Sequence, residues 1–287
     1  MQNLKFGAKR SHPDKLAAAK PAHEHPAIKA ALAAGPLPDS VDLDVYTPFR
    51  ADQGASGSCT AGSSTLAVAT AFAAKGKPLG FVPSQLATYR QTRALERAAQ
   101  FPAGPLPVLT DDGAQLADVV TVFGQFGIMP MVVSKTPDGR LYDLWTDADV
   151  PGQGNVNAEP QLSDLELSAQ KLVDGPYLVA NGDATGPDVI AAALAACIPV
   201  CLAFFCDSAF QRLGPNDVAQ KPNEADSTGG GHAVWLSGYK HLPSGERVFL
   251  LTNSWGNGWC DNGRVMVSEA FIRAAWEAWP LAIKEVP

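Results

Sequence analysis

The stretch Asp52-Gln53-Gly54-Ala55-Ser56-Gly57-Ser58-Cys59-Thr60-Ala61-Gly62 decides how this chain is interpreted. It is a glycine- and serine-rich turn that leads into an alanine-rich apolar run ending at Ala74. The pattern predicts a loop followed by a helix, with Ser56 or Ser58 available as the N-cap. Cys59 then lies in the first helical turn, where free N–H groups and the helix dipole favour a thiolate. Cys59 is therefore a candidate nucleophile, although a lone cysteine is more often a small buried apolar residue.

Two later motifs strengthen this interpretation. The run Gly231-His232-Ala233-Val234 is followed by Asn253-Ser254-Trp255-Gly256, and Gln53 stands six residues before Cys59. In these motifs and in their order the chain resembles the papain-like cysteine peptidases. That family has a glutamine six residues before a Gly-Ser-Cys turn, then a His-Ala-Val strand and an Asn-Ser-Trp-Gly motif.

The resemblance implies a role for each matched residue. Cys59 is the expected nucleophile, His232 the base and Asn253 the residue that orients the imidazole. The side-chain amide of Gln53, with the Cys59 N–H, is expected to form the oxyanion hole. Trp255 is expected to cover the bond between His232 and Asn253. The resemblance therefore implies a cysteine peptidase. It would hydrolyse peptide bonds by means of a thiolate–imidazolium pair and an acyl-enzyme thioester.

The same resemblance predicts four substrate-binding residues. Gly113 and Ala114 occupy the place of a glycine pair that binds the substrate strand, with an alanine replacing one glycine. Ala203 is expected to face the specificity pocket, and Gly231 leaves space for a substrate strand. Because Ala203 and Gly231 are small and uncharged, we expect the second subsite to tolerate a bulky apolar side chain.

Helical patterns dominate before residue 130 and strand patterns after residue 175, which predicts an α+β protein. The resemblance implies a papain-like two-domain fold, with a helical left domain, an antiparallel β-barrel-like right domain and an active-site cleft between them. Residues 268–279 have the pattern of one closing amphipathic helix. The polar region 129–173 is expected to hold the crossover between the halves and a surface loop.

We expect the peptidase domain to span residues 36–287. Its helical half is predicted at about 50–150 and its β-rich half at 36–49 and 151–287. Residues 1–35 are either a solvated, partly helical extension or a short inhibitory prosegment that makes the protein a zymogen. Since this segment is far shorter than the usual helical prodomain, it would block the cleft only as an extended strand.

Composition restricts the partners. The net charge of the 287-residue chain is −7, so nucleic acid and anionic membranes are poor candidates. A monomer acting on a peptide or protein substrate is expected. His23-Glu24-His25 has no third ligand nearby, and neither a metal nor a cofactor is expected. No secretory signal or membrane-spanning run is recognisable, which is compatible with a cytoplasmic protein or with export by another route.

The five cysteines are an odd number and form no CxxC pair. Ser56 stands where the family has a disulfide cysteine, so the usual disulfide framework is absent. This favours a reducing compartment or a bacterial-type enzyme. One disulfide is left open among the remaining cysteines: Cys197, Cys201, Cys206 and Cys260.

Two alternatives to a peptidase are left open. A papain-fold acyltransferase or amidase would use the same catalytic residues on another substrate. A binding module would have its cleft filled by residues 1–35 or by a polar loop.

Overall fold

The computed structural model describes residues 5–100, 109–130, 133–135, 141–143, 175–179 and 186–284. Its α-helices are α1 (Pro13–Ala18), α2 (Pro26–Ala33), α3 (Cys59–Ala74), α4 (Gln85–Gln100), α5 (Leu116–Gln125), α6 (Gly186–Ala195), α7 (Ser208–Gln211) and α8 (Glu269–Ala274). Its strands are β1 (Ala8–Lys9), β2 (Lys20–Pro21), β3 (Ser40–Asp42), β4 (Ala114–Gln115), β5 (Val133–Lys135), β6 (Leu141–Asp143), β7 (Tyr177–Leu178), β8 (Val200–Cys206), β9 (Val218–Ala219), β10 (Gly230–His241), β11 (Arg247–Thr252), β12 (Arg264–Ser268) and β13 (Glu277–Pro280).

The central element of the helical half is α3, and its predicted start and end are confirmed. Its run of small residues lets it pack closely against α4, α5 and the strand β10. Ser58 occupies the N-cap position, one of the two predicted, but its side chain accepts no hydrogen bond from the helix. The hydroxyls of Ser56 and Ser58 bond to each other instead, at 2.7 Å.

The β-rich half is built on a seven-stranded sheet. Its strands run in the order β13-β8-β10-β11-β12-β9, and β3 pairs with the outer end of β10. The long strand β10 pairs antiparallel with β8 and β11. The α+β architecture with a helical half and a β-rich half is thereby confirmed. Among the described residues the sheet stays open, so it resembles a barrel without closing into one.

The chain end departs from the prediction of one helix over 268–279. The helix α8 stops at Ala274, and β13 then adds to the free edge of β8, with Glu277 opposite Ala203. Flanking backbone bonds, from Trp276 N to the Ala203 oxygen and from Leu281 N to the Pro199 oxygen, extend this pairing. An edge strand leaves unpaired backbone groups, and pairing them outweighed the helical pattern.

The residues before position 36 are partly helical, as one of the two interpretations predicted, but they are not merely solvated. Ala22 and Ile28 are buried in the same apolar cluster as Ile190 and Leu194 of α6. The strand β1 lies between the two halves and pairs in parallel with β4 of the helical half. The boundary at residue 36 stays a prediction.

Most of the region 129–173, including the predicted junction of the halves at 150/151, lies outside the described residues.

In the described part of the chain, no helix is both long and apolar enough to span a membrane.

Candidate active site

Cys59 is the first residue of α3 and is fully buried beneath the N-terminal residues. Burial raises the pKa of its thiol to about 11, although backbone groups of Ala233 and Gly7 act in the opposite direction. A thiol with this pKa is protonated at neutral pH. In this state of the molecule Cys59 is therefore poorly nucleophilic, even though the helix terminus is favourable for a thiolate.

His232 lies on β10 and Asn253 directly follows β11. Their side chains meet through His232 Nε2 and Asn253 Oδ1 at 2.8 Å. The same oxygen accepts the Ser254 backbone N–H at 2.8 Å. Because Oδ1 is thus an acceptor, Nε2 of the neutral ring carries the proton. The other ring nitrogen, Nδ1, is buried without a hydrogen-bond partner among the described residues and is available to take a proton.

The indole of Trp255 stacks on the His232 ring, with centroids 4.6 Å apart and an interplanar angle of 23°. Burial lowers the pKa of His232 to about 4, and the bond to Asn253 opposes this shift. The imidazole is consequently neutral at physiological pH. Burial thus favours the neutral forms of both His232 and Cys59. A thiolate–imidazolium pair between them forms only if their mutual attraction exceeds this cost of burying charge.

Gln53 presents its side-chain amide to the cleft. Its Nε2 donates to the backbone oxygens of Lys5 at 3.1 Å and Ser56 at 2.9 Å. Its Oε1 accepts from the hydroxyl of Ser254 at 2.6 Å, which fixes the orientation of the amide. Sequence reasoning did not single out Ser254, although it stands between Asn253 and Trp255. Its hydroxyl donates to Gln53 and its backbone N–H donates to Asn253, so Ser254 links the two residues of the candidate site.

A peptide segment of the chain itself, residues 5–11, occupies the cleft; we call it the cleft segment. The Gly7 oxygen accepts the Ala114 N–H at 2.8 Å. At Gly113, φ is +85° and a β-carbon would lie 2.2 Å from that same oxygen, so only glycine fits there. A β-carbon at Gly231 would lie 1.9 Å from the Ala8 oxygen. Three of the four predicted substrate-binding residues therefore contact or closely approach peptide backbone.

The fourth, Ala203, lies opposite Ala233 and Glu277 in the sheet and is fully buried. It belongs to the same apolar cluster as Ala8 of the cleft segment. Sequence reasoning missed Glu277, because it placed that residue in a terminal helix. The amphipathic pattern of residues 268–279 gave no signal that a strand begins there.

All five cysteines are free. The sequence had left open one disulfide among four of them, and no such bond is present between Cys197, Cys201, Cys206 and Cys260. Among the described residues, no group of three or more His, Cys, Asp or Glu side chains is arranged to hold a metal ion.

Comparison with solved structures relates this geometry to known proteins. Xylellain, a cysteine protease from Xylella fastidiosa, superposes with a TM-score of 0.72 at 24% identity and covers 100% of this chain and 98% of its own. The chain has the papain-like cysteine protease fold. Procathepsin B S9 from Trypanosoma congolense also has this papain-like fold, with a TM-score of 0.67, 15% identity and coverage of 97% and 86%. Bromelain from Ananas comosus, solved with the E64 inhibitor, gives 0.55 at 15% identity, with coverage of 86% and 100%.

Sequence comparison adds one distant relative. An uncharacterised peptidase C1-like protein of Acanthamoeba polyphaga mimivirus is 23% identical over an alignment of 222 residues, and the match covers 74% of this chain. The match spans 61% of that relative's length. No family model matches the chain.

The contact between Ser254 and Gln53 leads to a first prediction. Replacing Ser254 by alanine removes the hydroxyl that holds the Gln53 amide, so we expect kcat for peptide hydrolysis to fall about 3- to 30-fold. KM should change little, since Ser254 is buried and does not line the cleft. The measurement is steady-state kinetics in a chain whose cleft segment is displaced by Gly7→Ala, with Ser63→Ala, a buried serine of α3, as the matched control. A change confined to KM would contradict this role.

Proposed function

We propose that this papain-like protein is a cysteine peptidase that its own cleft segment holds in a latent state. The observation that carries the proposal is that peptide backbone already lies in the cleft beside Cys59. The Lys5 carbonyl accepts from the Gln53 amide, and Gly7 is hydrogen-bonded to Ala114. A cleft that holds an extended peptide in this way is suited to a peptide substrate.

The proposed chemistry begins when the cleft segment leaves. The Cys59 thiol transfers its proton to Nδ1 of His232, and the resulting thiolate attacks the carbonyl carbon of the substrate. The oxygen of the tetrahedral intermediate accepts hydrogen bonds from Gln53 Nε2 and from the Cys59 N–H. The C–N bond then breaks, and His232 returns the proton to the departing amine. A thioester between substrate and Cys59 remains.

Water completes the cycle. His232 takes a proton from the water that attacks the thioester, the C–S bond breaks, and the proton returns to the sulfur. Asn253 keeps the imidazole oriented by accepting from Nε2, and Trp255 covers that bond on one face.

Two further observations support latency. Phe6 lies edge-on to the His232 ring, with centroids 6.4 Å apart, and Lys5 is paired with Asp111 at 2.6 Å. Procathepsins are also among the structures of similar fold.

The test is the rate of Cys59 alkylation by iodoacetamide as a function of pH, read by peptide mapping. It compares the unaltered 287-residue chain with Gly7→Ala, because a β-carbon at Gly7 would lie 1.9 Å from the Gly57 oxygen. In the unaltered chain the thiol is protonated below its pKa of about 11, so labelling should become fast only as the pH approaches that value. In the variant, where the ion pair with His232 can form, the midpoint should fall below the ordinary thiol pKa of about 8.5.

The same measurement distinguishes the alternatives. Deleting residues 1–9 should reproduce the Gly7→Ala profile and leaves α1 and α2 in place. If Cys59 of both altered chains labels like an ordinary thiol and neither chain hydrolyses denatured casein, the peptidase proposal fails. The binding-module interpretation then replaces it. Fast labelling of the unaltered chain at mildly acidic pH would instead refute latency alone.

A further inference from the structure

A hydrogen-bond network beside the cleft has no part in the proposed catalytic steps. At its centre, Asp111 Oδ1 accepts from the Gly57 backbone N–H at 2.9 Å and from the Tyr89 hydroxyl at 2.7 Å. The Tyr89 oxygen in turn accepts the Gly113 N–H at 2.9 Å. A β-carbon at Gly57 would lie 3.0 Å from Asp111 Oδ1 and 3.1 Å from the Tyr89 oxygen, so the packing is tight. Two backbone segments that are distant in the sequence are thereby joined through two side chains.

The two joined segments have different parts in the proposed reaction. Gly57 stands two residues before Cys59, the nucleophile at the start of α3. Gly113 precedes Ala114, whose N–H donates to the Gly7 oxygen of the cleft segment at 2.8 Å. A substrate strand that replaces the cleft segment would use the same donor. The placement of this donor relative to the thiol therefore decides how a bound peptide lies against the nucleophile.

The helix α4 holds the network in place. Tyr89 is fully buried, and burial raises the pKa of its phenol, so the hydroxyl stays protonated and donates to Asp111. Arg93, one helical turn later, is also buried. Its guanidinium lies 4.0 Å from the centre of the Tyr89 ring and donates to the Thr110 backbone oxygen at 2.6 Å. The residue before Asp111 is therefore anchored to the helix that also supplies Tyr89.

The two oxygens of Asp111 have different partners. Oδ2 accepts from Lys5 Nζ of the cleft segment at 2.6 Å, whereas Oδ1 accepts only from donors of the body. Burial acts to raise the pKa of this carboxyl, but hydrogen bonds from Lys5, Tyr89 and the Gly57 N–H lower it below its ordinary value. The group is thus a carboxylate at neutral pH. Departure of the cleft segment removes the partner of Oδ2 and leaves both donors of Oδ1 in place.

We propose that Asp111 is a positioning residue of the peptidase, which aligns the substrate-pairing backbone at Ala114 with the nucleophile Cys59. It acts through the Gly57 N–H on the turn before the nucleophile, and through Tyr89 on the residue before Ala114. This rests on the proposed function, because only a peptide that both pairs with Ala114 and reacts at Cys59 uses the alignment. Since all five cysteines are free, these hydrogen bonds make a connection that no disulfide supplies.

The test uses the 287-residue chain carrying Gly7→Ala and two substrates of different length. An extended fluorogenic peptide has to pair with Ala114, whereas the p-nitrophenyl ester of N-acetylglycine reaches only Cys59 and the oxyanion hole. Asp111→Ala removes the acceptor of two donors, so kcat/KM for the peptide should fall about 10- to 100-fold. For the ester, kcat/KM should change less than about threefold, because its reaction does not depend on the alignment.

Two milder variants in the same Gly7→Ala chain locate the effect. Tyr89→Phe breaks only the link to the Gly113 N–H and should lower kcat/KM for the peptide about 3- to 30-fold. Asp111→Asn keeps an acceptor oxygen for Gly57 and Tyr89. It should therefore hold kcat/KM for the peptide within about threefold of the value for Gly7→Ala alone. Neither variant should affect the ester.

Asp112→Asn is the matched control. Asp112 is an exposed carboxylate of the same loop and is paired with Lys9 at 3.2 Å and with Arg97 at 3.2 Å. Removing its charge should leave kcat/KM for both substrates within about twofold. Thermal unfolding of each variant verifies that it is folded. If Asp111→Ala does not fold, the comparison of Tyr89→Phe with Asp111→Asn replaces it.

The outcomes separate this inference from the function on which it rests. An equal loss on the peptide and on the ester would indicate a general effect on the site and would overturn the positioning role, with the peptidase proposal intact. Undiminished peptide hydrolysis by both Asp111→Ala and Tyr89→Phe would overturn it as well. If the Gly7→Ala chain cleaves no peptide although Cys59 is readily alkylated, the peptidase proposal itself fails, and the inference fails with it.

Discussion

The 287-residue chain carrying Gly7→Ala is expected to hydrolyse an unstructured peptide about 10- to 100-fold faster than the unaltered chain. The added methyl group would lie 1.9 Å from the oxygen and 2.4 Å from the carbonyl carbon of Gly57. Both are backbone atoms, which do not rotate away as the end of a side chain does. Overpacking of this kind costs about 1–3 kcal/mol or more. That free energy falls on the occluded state alone, since the displaced segment meets no Gly57.

Gly124→Ala is the matched control. Gly124 lies within α5, and a β-carbon there would meet no atom within 4 Å. The control should leave the rate unchanged and stabilise the helix slightly. Equal hydrolysis by the unaltered chain and Gly7→Ala, with both chains folded, would contradict the blocking role of the cleft segment. Faster hydrolysis by both variants would mean that the effect is not specific to the cleft.

Local pattern was sufficient to predict the elements that carry the chemistry. The start of α3 at Cys59 followed from a glycine- and serine-rich turn before an alanine-rich run, and its end at Ala74 from the end of that run. His232 lies on β10 and Asn253 directly follows β11, 21 positions later, and their proximity was predicted from the family resemblance. Neither their proximity nor the stacking of Trp255 could have been derived from the spacing alone.

Interactions between distant parts of the chain were less accessible. The strand β13 exists because β8 offers a free edge, and the helical pattern of residues 268–279 contains no trace of that edge. Glu277 was overlooked for this reason. The path of the cleft segment likewise depends on the pairing of Ala8 with Ala114, more than a hundred positions later. Sequence reasoning required an extended strand if the cleft was blocked, but it could not choose between blocking and a solvated extension.

Introducing Cys59→Ser into the Gly7→Ala chain is expected to lower kcat/KM for peptide hydrolysis at least about 1,000-fold. A serine hydroxyl is far less acidic than a thiol, so His232 cannot generate a comparable nucleophile without further activation. The substitution changes one buried atom of a fully buried side chain and should preserve the fold. Cys201→Ser is the matched control, because Cys201 is equally buried but lies on β8 and has no proposed role. Loss of activity in both variants would point to a packing effect.

The Cys59→Ser result also separates the remaining reaction classes when the Gly7→Ala chain is given a peptide ester and analysed by intact mass. A peptidase acting through Cys59 should gain the mass of the acyl group and lose it to water, whereas Cys59→Ser should gain none. If the acyl group passes mainly to an added amine at concentrations where water should compete, the acyltransferase alternative is favoured over the peptidase. Hydrolysis that persists in Cys59→Ser would instead exclude Cys59 as the nucleophile in either reaction. The orphaned Nδ1 of His232 would then need another explanation, since a buried nitrogen without a partner is costly unless it serves to accept a proton.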